Sequence, residues 1–480
     1  MSPRELEGAV TEHWRATTER GLRDALRTST AKVVVIDDDP TGTQPVHGVP
    51  VVTRWGVDDL VWALSQDGRL VFVSTNSRSM GADVASEVVR EVARSSYAAA
   101  DQLGVDVTFV SRGDSTLRGH VWDEVRAVIG VADDHGARMS GVVLVPAYVE
   151  AGRVTVDAEH CILDGRELTP LSGTEYARDA TFGYATSWLP GFVAEKSRGA
   201  VASDDVRRID LDLLRSDDLE GVREVLRGAD AQPGSRPWVV ADAVDYADLF
   251  RLSTALLDLE REGRRFVCRT GPSFVRAFGG VVGSPTLDDA AAARVGAAGR
   301  GGLVVVGSHV GLSSRQLEHL RRTFGHPLVE LDVQRLLAEE DDHVAVVADR
   351  LADALRQGSA VLATSRRLVT GADGDDSLRI SRVVARALVT VVQRVIETAA
   401  PAYLVAKGGI TSSTLFSEAL GASRALVLGS LLPGMVSVWS PVDGRRPGLP
   451  YVVFAGNVGT DTSLAEVVGR LEGSDRKVGP

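Results

Sequence analysis

Three carboxylates follow the first apolar segment of the sequence. Residues 33–36 read Val-Val-Val-Ile, Asp37, Asp38 and Asp39 come directly after them, and Thr41 lies in the same loop. Adjacent carboxylates repel one another, so such a cluster is stable mainly where it binds a cation, a sugar hydroxyl or a proton in transfer. An acidic helix cap in a surface turn is the structural alternative. The sequence therefore predicts a binding or catalytic loop after the first strand.

Two later loops place an arginine beside small hydroxyl residues. The second apolar segment ends in Ser-Thr-Asn-Ser-Arg78, and the third ends in Ser-Arg112-Gly113-Asp114-Ser115. Gly113 permits a tight turn, and Asp114 or Ser115 can cap the helix that follows. The Arg112 guanidinium can hold a carboxylate through two hydrogen bonds. Each loop alone fits ordinary helix capping, but together they predict a site for a small anion.

The second half of the chain carries glycine-rich junctions. Ser308, the string Lys407-Gly-Gly-Ile-Thr-Ser and the string Gly456-Asn-Val-Gly each follow an apolar segment. Such junctions let backbone amides approach an anion, and the dipole of the following helix favours phosphate. A nucleotide phosphate chain is the candidate ligand, with close helix–sheet packing as the structural alternative. We also predict a capping box from Ser313 to Gln316 at the start of a helix. The chain contains neither a P-loop nor a dinucleotide-binding fingerprint.

These loops require a scaffold of alternating strands and helices. Continuous Val, Ile and Leu runs indicate strands buried on both faces, so we predict an α/β fold of two domains, each a largely parallel sheet flanked by helices. Ligands bind such sheets beyond the carboxyl ends of the strands, where the loops above lie. The predicted strands are 32–37, 70–74, 107–111, 141–146, 238–243, 265–269, 303–307, 328–331, 360–364, 403–406, 425–428 and 452–455, and the clearest predicted helices are 4–28, 83–103 and 245–263.

A change in composition marks the domain boundary. Residues 279–302 are rich in Gly, Ala and small polar residues, which offer little for a core. We therefore predict an N-terminal domain over 31–278 and a C-terminal domain over 301–472. The segment 150–201 has weak periodicity and is predicted to be an irregular insertion or a cap.

Composition and charge exclude several classes of protein. The chain has 480 residues and a net charge of −12, which disfavours nucleic acid as a partner. Its two cysteines are too few for a disulfide framework or a cysteine-based zinc site. No signal peptide or membrane span is recognisable, so we expect a soluble, cytoplasmic protein. Only four of its basic residues are lysines, namely Lys32, Lys196, Lys407 and Lys477.

The order of these motifs resembles the four-carbon acid sugar kinase family over nearly the whole chain. In the first half the resemblance rests on Asp38-Asp-Pro-Thr-Gly, Thr75-Asn-Ser-Arg, Asp114-Ser-Thr-Leu-Arg-Gly and Glu150-Ala-Gly-Arg. In the second half it rests on Gly307-Ser, Gly408-Gly-Ile-Thr-Ser, Pro433-Gly and Gly456-Asn-Val-Gly. The Asp-Ser-Thr-Leu-Arg-Gly and Glu-Ala-Gly-Arg strings are the most specific of these.

The resemblance implies an ATP-dependent kinase for the terminal hydroxyl of threonate, erythronate or oxo-tetronate. It implies Mg²⁺ with the ATP, the acid sugar on the first domain, the nucleotide on the second, and an active site in the cleft between them. By carry-over, the catalytic candidates are Asp38 and Asp39. The substrate-binding candidates are Asp38, Arg78, Arg112, Gly113, Asp114 and Ser115. The nucleotide-binding candidates are Ser308, Gly408, Gly409, Ile410, Thr411, Gly434, Gly456 and Asn457, and no metal ligand is assigned.

The chain departs from the family pattern at three places. Arg112 stands where the family has lysine, and Ile410 stands where it has an acidic residue. Phe454 and Ala455 precede Gly456, where the resemblance leads us to expect a lysine. Lys407 is the one lysine at a strand end facing a Gly-Gly turn, so we assign to it, or to an arginine, the task of offsetting charge in the transfer.

Two other functions remain open from the sequence. The first loop also fits a haloacid-dehalogenase-type phosphatase, with Asp37 as nucleophile and Asp39 as general acid, although that mechanism needs a lysine that the region lacks. Alternatively, the chain is a sensor that binds a sugar acid and a nucleotide without transfer. We expect small-molecule partners, no nucleic acid and no membrane, and a homodimer is compatible with the sequence.

Overall fold

The computed structural model describes residues 10–39, 41–228, 236–281, 283–297, 301–367, 369 and 374–474. Contacts within the chain divide it into two compact units. Unit 1 comprises Met1–Gly42 and Val49–Gly283, and unit 2 comprises Thr43–Gly48 and Ser284–Pro480. Each unit is an α/β layer structure, which confirms the predicted fold class.

The strands and helices are numbered here in chain order. In unit 1 the strands are β1 (Lys32–Asp37), β2 (Pro50–Val52), β3 (Leu70–Ser74), β4 (Val107–Arg112), β5 (Met139–Val145), β6 (Arg153–Val156), β7 (Glu159–Asp164), β8 (Glu167–Pro170), β9 (Arg207–Ile209), β10 (Trp238–Ala241) and β11 (Arg265–Thr270). Its helices are α1 (Glu12–Leu26), α2 (Val57–Ser65), α3 (Ala82–Leu103), α4 (Val121–Asp134), α5 (Leu189–Lys196), α6 (Leu211–Leu214), α7 (Glu220–Gly228), α8 (Tyr246–Arg261) and α9 (Pro272–Phe278).

In unit 2 the strands are β12 (Leu303–Val306), β13 (Leu328–Leu331), β14 (Ala360–Thr364), β15 (Leu404–Lys407), β16 (Arg424–Leu432), β17 (Val436–Pro441) and β18 (Tyr451–Phe454). Its helices are α10 (Asp289–Gly296), α11 (Gly311–Phe324), α12 (Val333–Ala338), α13 (Glu340–Gln357), α14 (Gly374–Thr398), α15 (Gly409–Thr414) and α16 (Ser463–Leu471).

The main sheet of unit 1 is parallel throughout. Its strand order is β2-β3-β1-β4-β11-β5-β10-β9. The central strand β1 is buried on both faces, as its unbroken Val-Val-Val-Ile run predicts. Asp37 is in register with Ser74 on one side and with Arg112 on the other. The polar residues that end these three strands therefore meet at one edge of the sheet.

The segment 150–201 is more regular than we predicted. Strands β6, β7 and β8 form a three-stranded antiparallel sheet, and α5 follows it. The prediction of an irregular segment was wrong because strands of four to six residues are too short to establish a clear period.

The sheet of unit 2 is parallel in its first five strands and antiparallel at one edge. Its order is β13-β14-β12-β15-β18-β17-β16, and β17 runs antiparallel to both of its neighbours. Lys407, the last residue of β15, is in register with Val306 of β12 and Phe454 of β18. The loops that begin at Gly307, Gly408 and Ala455 therefore leave the same edge of the sheet.

Three local predictions differ from the structure or fall partly outside the described residues. The capping box was wrong, because α11 begins at Gly311 and both Ser313 and Gln316 lie inside it. The N-terminal helix spans Glu12–Leu26, and the first residues of its predicted range lie outside the described residues. Several positions of the predicted boundary segment, and Lys477, also lie outside them. Within the described residues, no helix has both the length and the apolar composition needed to cross a bilayer.

Candidate functional site

The three aspartates at the end of β1 have different environments. Asp37 is 1% exposed and accepts a hydrogen bond from Arg112 Nη1 at 2.9 Å. Asp38 is also 1% exposed, and both of its oxygens accept hydrogen bonds from Arg78, at 2.5 and 3.2 Å. Asp39 is 29% exposed, accepts from Arg78 Nη1 at 3.1 Å, and accepts the Thr41 N–H and hydroxyl. Asp39 is thus the accessible carboxylate of the three.

The pKa values of these carboxyls follow from their surroundings. Burial raises the pKa of Asp37 to about 7, although Arg112 acts against this shift. Burial likewise raises the pKa of Asp38, opposed by Arg78 and Arg269. For Asp39 the effect of burial is outweighed by Arg78, Arg112 and Thr41, so its pKa is lowered. Asp39 therefore stays ionised at neutral pH, whereas Asp37 titrates near it.

The loop after β4 is held by its own side chains. Asp114 accepts hydrogen bonds from the Thr116 N–H and hydroxyl, and it pairs with Arg118 at 2.6 Å. Burial raises the pKa of Asp114, but Arg78, Arg118 and Thr116 outweigh it and lower the pKa to about 2. The helix that follows begins at Val121 with His120 as its N-cap. The prediction that Asp114 or Ser115 caps this helix was therefore wrong.

Gly42 closes the loop of β1 directly over Asp37. A Cβ atom at this position would lie 1.8 Å from Asp37 Oδ2 and 2.4 Å from its Cγ. We expect Gly42→Ala to lower the free energy of unfolding by about 1–3 kcal/mol, because the buried carboxylate has no room to move. Denaturant unfolding measures this loss. Gly130→Ala in α4 is the control, since nothing lies within 4 Å of its Cβ position. An unchanged unfolding midpoint for Gly42→Ala would contradict the packing described here.

The segment from β6 to α5 covers the loop after β4 and is named the cap here. His160 Nε2 lies 2.8 Å from the Ser115 carbonyl oxygen. The Tyr184 hydroxyl donates to the Thr116 carbonyl at 2.9 Å, and the Phe182 ring packs edge-on against His120 with ring centroids 5.0 Å apart. The alternative prediction of a cap thus matches the contacts, which order the loop that follows Arg112.

Two buried charged residues of unit 1 were missed by the sequence analysis. Arg269, the fifth residue of β11, donates through Nη1 to Glu124 at 2.5 Å and to Ser111 at 2.7 Å. Glu124 lies on α4 and is fully buried. An arginine inside a buried strand is the signal that could have identified Arg269, because lone charges are rarely buried.

Some buried polar atoms at this edge lack a hydrogen bond within the part of the chain that the structure describes. Arg112 Nε, Arg269 Nη2 and Thr270 Oγ1 are buried and make no hydrogen bond with the described residues. Buried polar groups are nearly always paired with protein, water or ligand. Of these groups, the Arg112 Nε donor, together with Arg78, could bind the oxygens of an anionic, hydroxyl-rich molecule. We call Asp37, Asp38, Asp39, Arg78, Arg112, Glu124 and Arg269 the arginine–carboxylate network.

In unit 2, three strand ends meet at Ser308. A Cβ atom on Gly408 would lie 3.3 Å from Ser308 Cβ, and one on Gly456 would lie 2.7 Å from Ser308 Oγ. Gly408 has a φ of +126°, which favours glycine. We call Ser308, Gly408 and Gly456 the cradle. A side chain on either glycine would crowd Ser308, so the three strand ends can meet this closely only because both positions are glycine.

A cavity of about 290 Å³ opens beside this cradle. Its wall contains Ser308, Gly408, Gly409, Ile410 and Thr411, all predicted nucleotide-binding residues. The remaining wall is mainly apolar and comes from α14 and its neighbours, with Val369, Ile380, Val384, Ala385, Leu388 and Leu415 among its residues. Such a wall suits the flat face of a nucleotide base.

Two basic residues lie close to the cradle. Lys407 is fully buried, its Nζ donates to the Ala455 carbonyl at 2.6 Å, and Nζ lies 3.8 Å from the centre of the Phe454 ring. Burial lowers its pKa to about 7. Arg366, which the sequence analysis missed, donates to the Ser308 carbonyl at 2.6 Å. Its signal was the Ser-Arg pair that follows β14.

Two predicted nucleotide-binding residues lie away from the cavity wall. Gly434 lies in the turn between β16 and β17 and is buried there. Asn457 is exposed and follows Gly456, but it does not line the cavity. Ser313 and Gln316 instead hold this loop from α11, by donating to the carbonyls of Gly456, Val458 and Thr460.

Comparison with known proteins assigns a family to each half of the chain. Residues 33–278 match the model of a sugar-binding N-terminal domain, and residues 303–464 match that of a nucleotide-binding C-terminal domain. No curated protein matches the chain. The arginine–carboxylate network lies within the first matched range, and the cradle lies within the second.

Solved structures support the fold. A Haemophilus influenzae protein of family DUF1537 is 17% identical, with a TM-score of 0.62, over 91% of this chain and all of its own. A Salmonella typhimurium LT2 protein, provisionally named a tRNA synthase, is 18% identical, with a TM-score of 0.64, over 91% of this chain and 98% of its own. The chain belongs to the family that joins a sugar-binding N-terminal domain to a nucleotide-binding C-terminal domain, the architecture of the DUF1537 four-carbon acid sugar kinases.

Proposed function

We propose that this protein is an ATP-dependent kinase that phosphorylates the terminal hydroxyl of a four-carbon sugar acid. The observation that carries the proposal is the arginine–carboxylate network of unit 1, in which the buried Arg112 Nε makes no hydrogen bond with the described residues. Such donors match the carboxylate of a sugar acid, and the neighbouring carboxylates match its hydroxyls. Unit 2 contributes a nucleotide-binding domain with an apolar cavity beside the cradle.

Asp39 is the residue that we assign to the attacking hydroxyl. It is the accessible member of the three aspartates, and Arg78 and Thr41 hold its two oxygens in place. Phosphoryl transfer depends on positioning and charge neutralisation more than on a strong base. An ionised carboxylate with a lowered pKa can therefore orient the hydroxyl and accept its proton as the hydroxyl oxygen bonds to the γ-phosphorus of ATP and the bond from that phosphorus to the ADP leaving group breaks. In this proposal Asp38 acts by holding Arg78.

Lys407 supplies the positive charge below the cradle. Phe454 and Ala455 precede Gly456 where the family resemblance leads us to expect a lysine, and the Lys407 ammonium lies over the Phe454 ring. The two residues are register partners in adjacent strands. A lysine on β15 thus takes the place of one on β18, beneath the backbone where phosphate is proposed to bind. Arg366 adds a second positive charge at Ser308.

Mg²⁺ fits this proposal as an ion held mainly by the nucleotide. Within the described residues no group of three or more His, Cys, Asp or Glu side chains could hold a metal. Mg²⁺ commonly keeps several waters and binds through the substrate's phosphates. Near the cradle, the Ser308 and Thr411 hydroxyls could add oxygen ligands. When bound, the ion neutralises phosphate charge.

The test is ADP release from ATP and Mg²⁺ with threonate, erythronate and oxo-tetronate as acceptors. We expect at least one acid to stimulate release by the wild type. Arg112→Ala should raise the KM for that acid about tenfold or more, because a charge-assisted hydrogen bond contributes about 1.5–3 kcal/mol, and leave the KM for ATP unchanged. Arg215→Ala, which breaks a buried pair with Asp248, controls for lost stability.

Other outcomes would identify the alternative functions. If the protein binds ATP but releases no ADP in the presence of any of the sugar acids, the result would point to a sensor and contradict the kinase proposal. Phosphate release from phosphomonoesters without ATP would point to the phosphatase. The burial of Asp37 under Gly42 and its pairing with Arg112 argue against a nucleophile at that position.

A further inference from the structure

A chain of alternating charges runs through the interior of unit 1. Arg269 is 3% exposed and lies between two carboxylates. Its Nη1 is 2.5 Å from Glu124 Oε2, and its Nη2 is 3.6 Å from Asp38 Oδ2. On the far side of Asp38, Arg78 links Asp38 to Asp39. Successive contacts therefore connect Glu124 to Arg269, Arg269 to Asp38, Asp38 to Arg78, and Arg78 to Asp39.

The loop that carries the substrate-binding candidates rests on this chain. A Cβ atom on Gly113 would lie 2.1 Å from Arg269 Nη2. One on Gly119 would lie 3.0 Å from the same nitrogen and 2.9 Å from Asp38 Oδ2. Both glycines thus let the backbone pack directly against the facing charges of Arg269 and Asp38, and shield them from water. Shielding strengthens the interaction between them.

Glu124 holds Arg269 in this position. It is fully buried, and its oxygens accept hydrogen bonds from Ser77 at 2.6 Å, from Ser111 at 3.0 Å and from Arg269 at 2.5 Å. Three donors from three different elements therefore orient one carboxylate. The orientation of Arg269 relative to Asp38 is set by this arrangement, since its Nη2 makes no hydrogen bond with the described residues.

We propose that Arg269 is a positioning residue, which Glu124 orients and which keeps Asp38 ionised so that Asp38 can hold Arg78 against Asp39. The inference rests on the proposed kinase function. Arg269 touches no reacting atom in it and acts only through Asp38. If Asp38 took up a proton, one of its two hydrogen bonds with Arg78 would lose its acceptor, and Asp39 would lose its orientation.

The charged groups that bear on Asp38 come from several elements. They are Arg78 from the loop after β3, Arg112 from β4, Glu124 from α4, Arg269 from β11, and Asp37 and Asp39 from β1 and its loop. The negative charge of Glu124 raises the pKa of Asp38, whereas the positive charge of Arg269 lowers it. Removing one or the other should therefore shift its titration in opposite directions.

The experiment compares Arg269→Lys, Arg269→Gln and Glu124→Gln with the wild type. We expect the acid limb of the kcat–pH profile to move up by about one pH unit in Arg269→Gln, because a nearby opposite charge lowers a carboxyl pKa by about 1–3 units. Arg269→Lys should restore part of that shift. Glu124→Gln keeps a side-chain oxygen that can accept the Arg269 hydrogen bond, so Arg269 should stay oriented, and the loss of the negative charge should move the limb to lower pH. The KM for ATP should stay within about twofold in all three variants.

Arg69→Gln is the matched control. Arg69 forms a buried pair with Glu260 at 2.6 Å and precedes β3, at the opposite edge of the same sheet. The Arg69→Gln substitution should lower the free energy of unfolding without moving the acid limb of the kcat–pH profile. An unmoved limb in Arg269→Gln, or shifts of the same sign in Arg269→Gln and Glu124→Gln, would overturn the proposal. If Arg269→Gln does not fold, Arg269→Lys and Glu124→Gln retain the test of opposite signs.

A direct titration separates this inference from the kinase function. Carbon-13 NMR of carboxyl-labelled aspartates, with Asp38 assigned from the Asp38→Asn spectrum, follows the ionisation of Asp38 without turnover. If the wild type transfers no phosphoryl group, the kinase proposal fails, and the NMR titration still tests Arg269. If transfer occurs but Asp38 titrates at the same pH in Arg269→Lys, Glu124→Gln and wild type, only the present inference fails.

Discussion

Asp39→Asn is expected to lower the rate of phosphoryl transfer by about 10²- to 10⁴-fold, which is the usual contribution of a positioned acid or base group. The asparagine side chain keeps an oxygen that can accept the hydrogen bonds from Thr41, so the loop should remain folded. It loses the charge that orients and deprotonates the hydroxyl. The effect should appear in kcat, measured by ADP release at saturating sugar acid.

Nucleotide binding provides the internal comparison for this variant. Asp39 belongs to unit 1, whereas the cradle belongs to unit 2, so the Kd for ATP should not change. Asp210→Asn is a matched control, because Asp210 also accepts a backbone N–H and asparagine caps a helix equally well. A kcat for Asp39→Asn within about threefold of the wild type would remove Asp39 from the reaction and favour Asp38 as the group that contacts substrate.

Lys407→Met is expected to weaken nucleotide binding and to stabilise the protein at the same time. The loss of affinity should be about tenfold or more near pH 6, because an ammonium group beneath the phosphates contributes about 1.5–3 kcal/mol. Calorimetric titration with ATP measures it. The loss should be smaller at pH 9, where the free protein carries less charge at Lys407.

The gain in stability follows from the lowered pKa of Lys407. The folded protein releases this proton at about pH 7, whereas the unfolded chain keeps it up to the ordinary lysine range, near 10.5. Burial of the charged amine therefore destabilises the fold fully below pH 7, and the penalty disappears as the pH rises toward 10.5. Methionine removes the penalty, so the free energy of unfolding should rise most at low pH.

Lys196→Met separates this effect from a general effect of lysine removal. Lys196 belongs to unit 1, is half-buried and donates to the Gly183 carbonyl at 2.6 Å, and burial also lowers its pKa. Its replacement should leave ATP affinity unchanged. If Lys407→Met binds ATP as tightly as the wild type at pH 6, Lys407 is a structural residue and the phosphate charge must be met by Arg366.

Strand positions were predictable because burial leaves a strong pattern in the sequence. The predicted ranges 32–37, 70–74 and 360–364 coincide with β1, β3 and β14, whose residues are nearly all buried. The short strands of the cap and the three-residue strands β2 and β9 were missed, since so few residues establish no period. The strand β17 was missed although all but one of its residues are buried, and for this strand we have no comparable reason.

The site was partly predictable for a similar reason. Loops that leave adjacent parallel strands must meet at one edge, so Asp38, Arg78 and Arg112 were grouped correctly without coordinates. Gly434 was placed with the nucleotide from a short Pro-Gly string, and it lies in a hairpin turn that does not line the cavity. Resemblance of a short motif does not report the distance between loops.

What the sequence by itself determined is the class of protein: two α/β units, with carboxylates and arginines at the strand ends of the first and glycine-rich strand ends in the second. These features follow from local patterns of burial and from loop chemistry. Only the tertiary structure decided which aspartate is accessible, that Arg269 and Glu124 act on Asp38, and that Lys407 lies over Phe454. The reason is physical, because the exposure and pKa of a carboxyl or amine depend on groups that packing brings near it from distant parts of the chain.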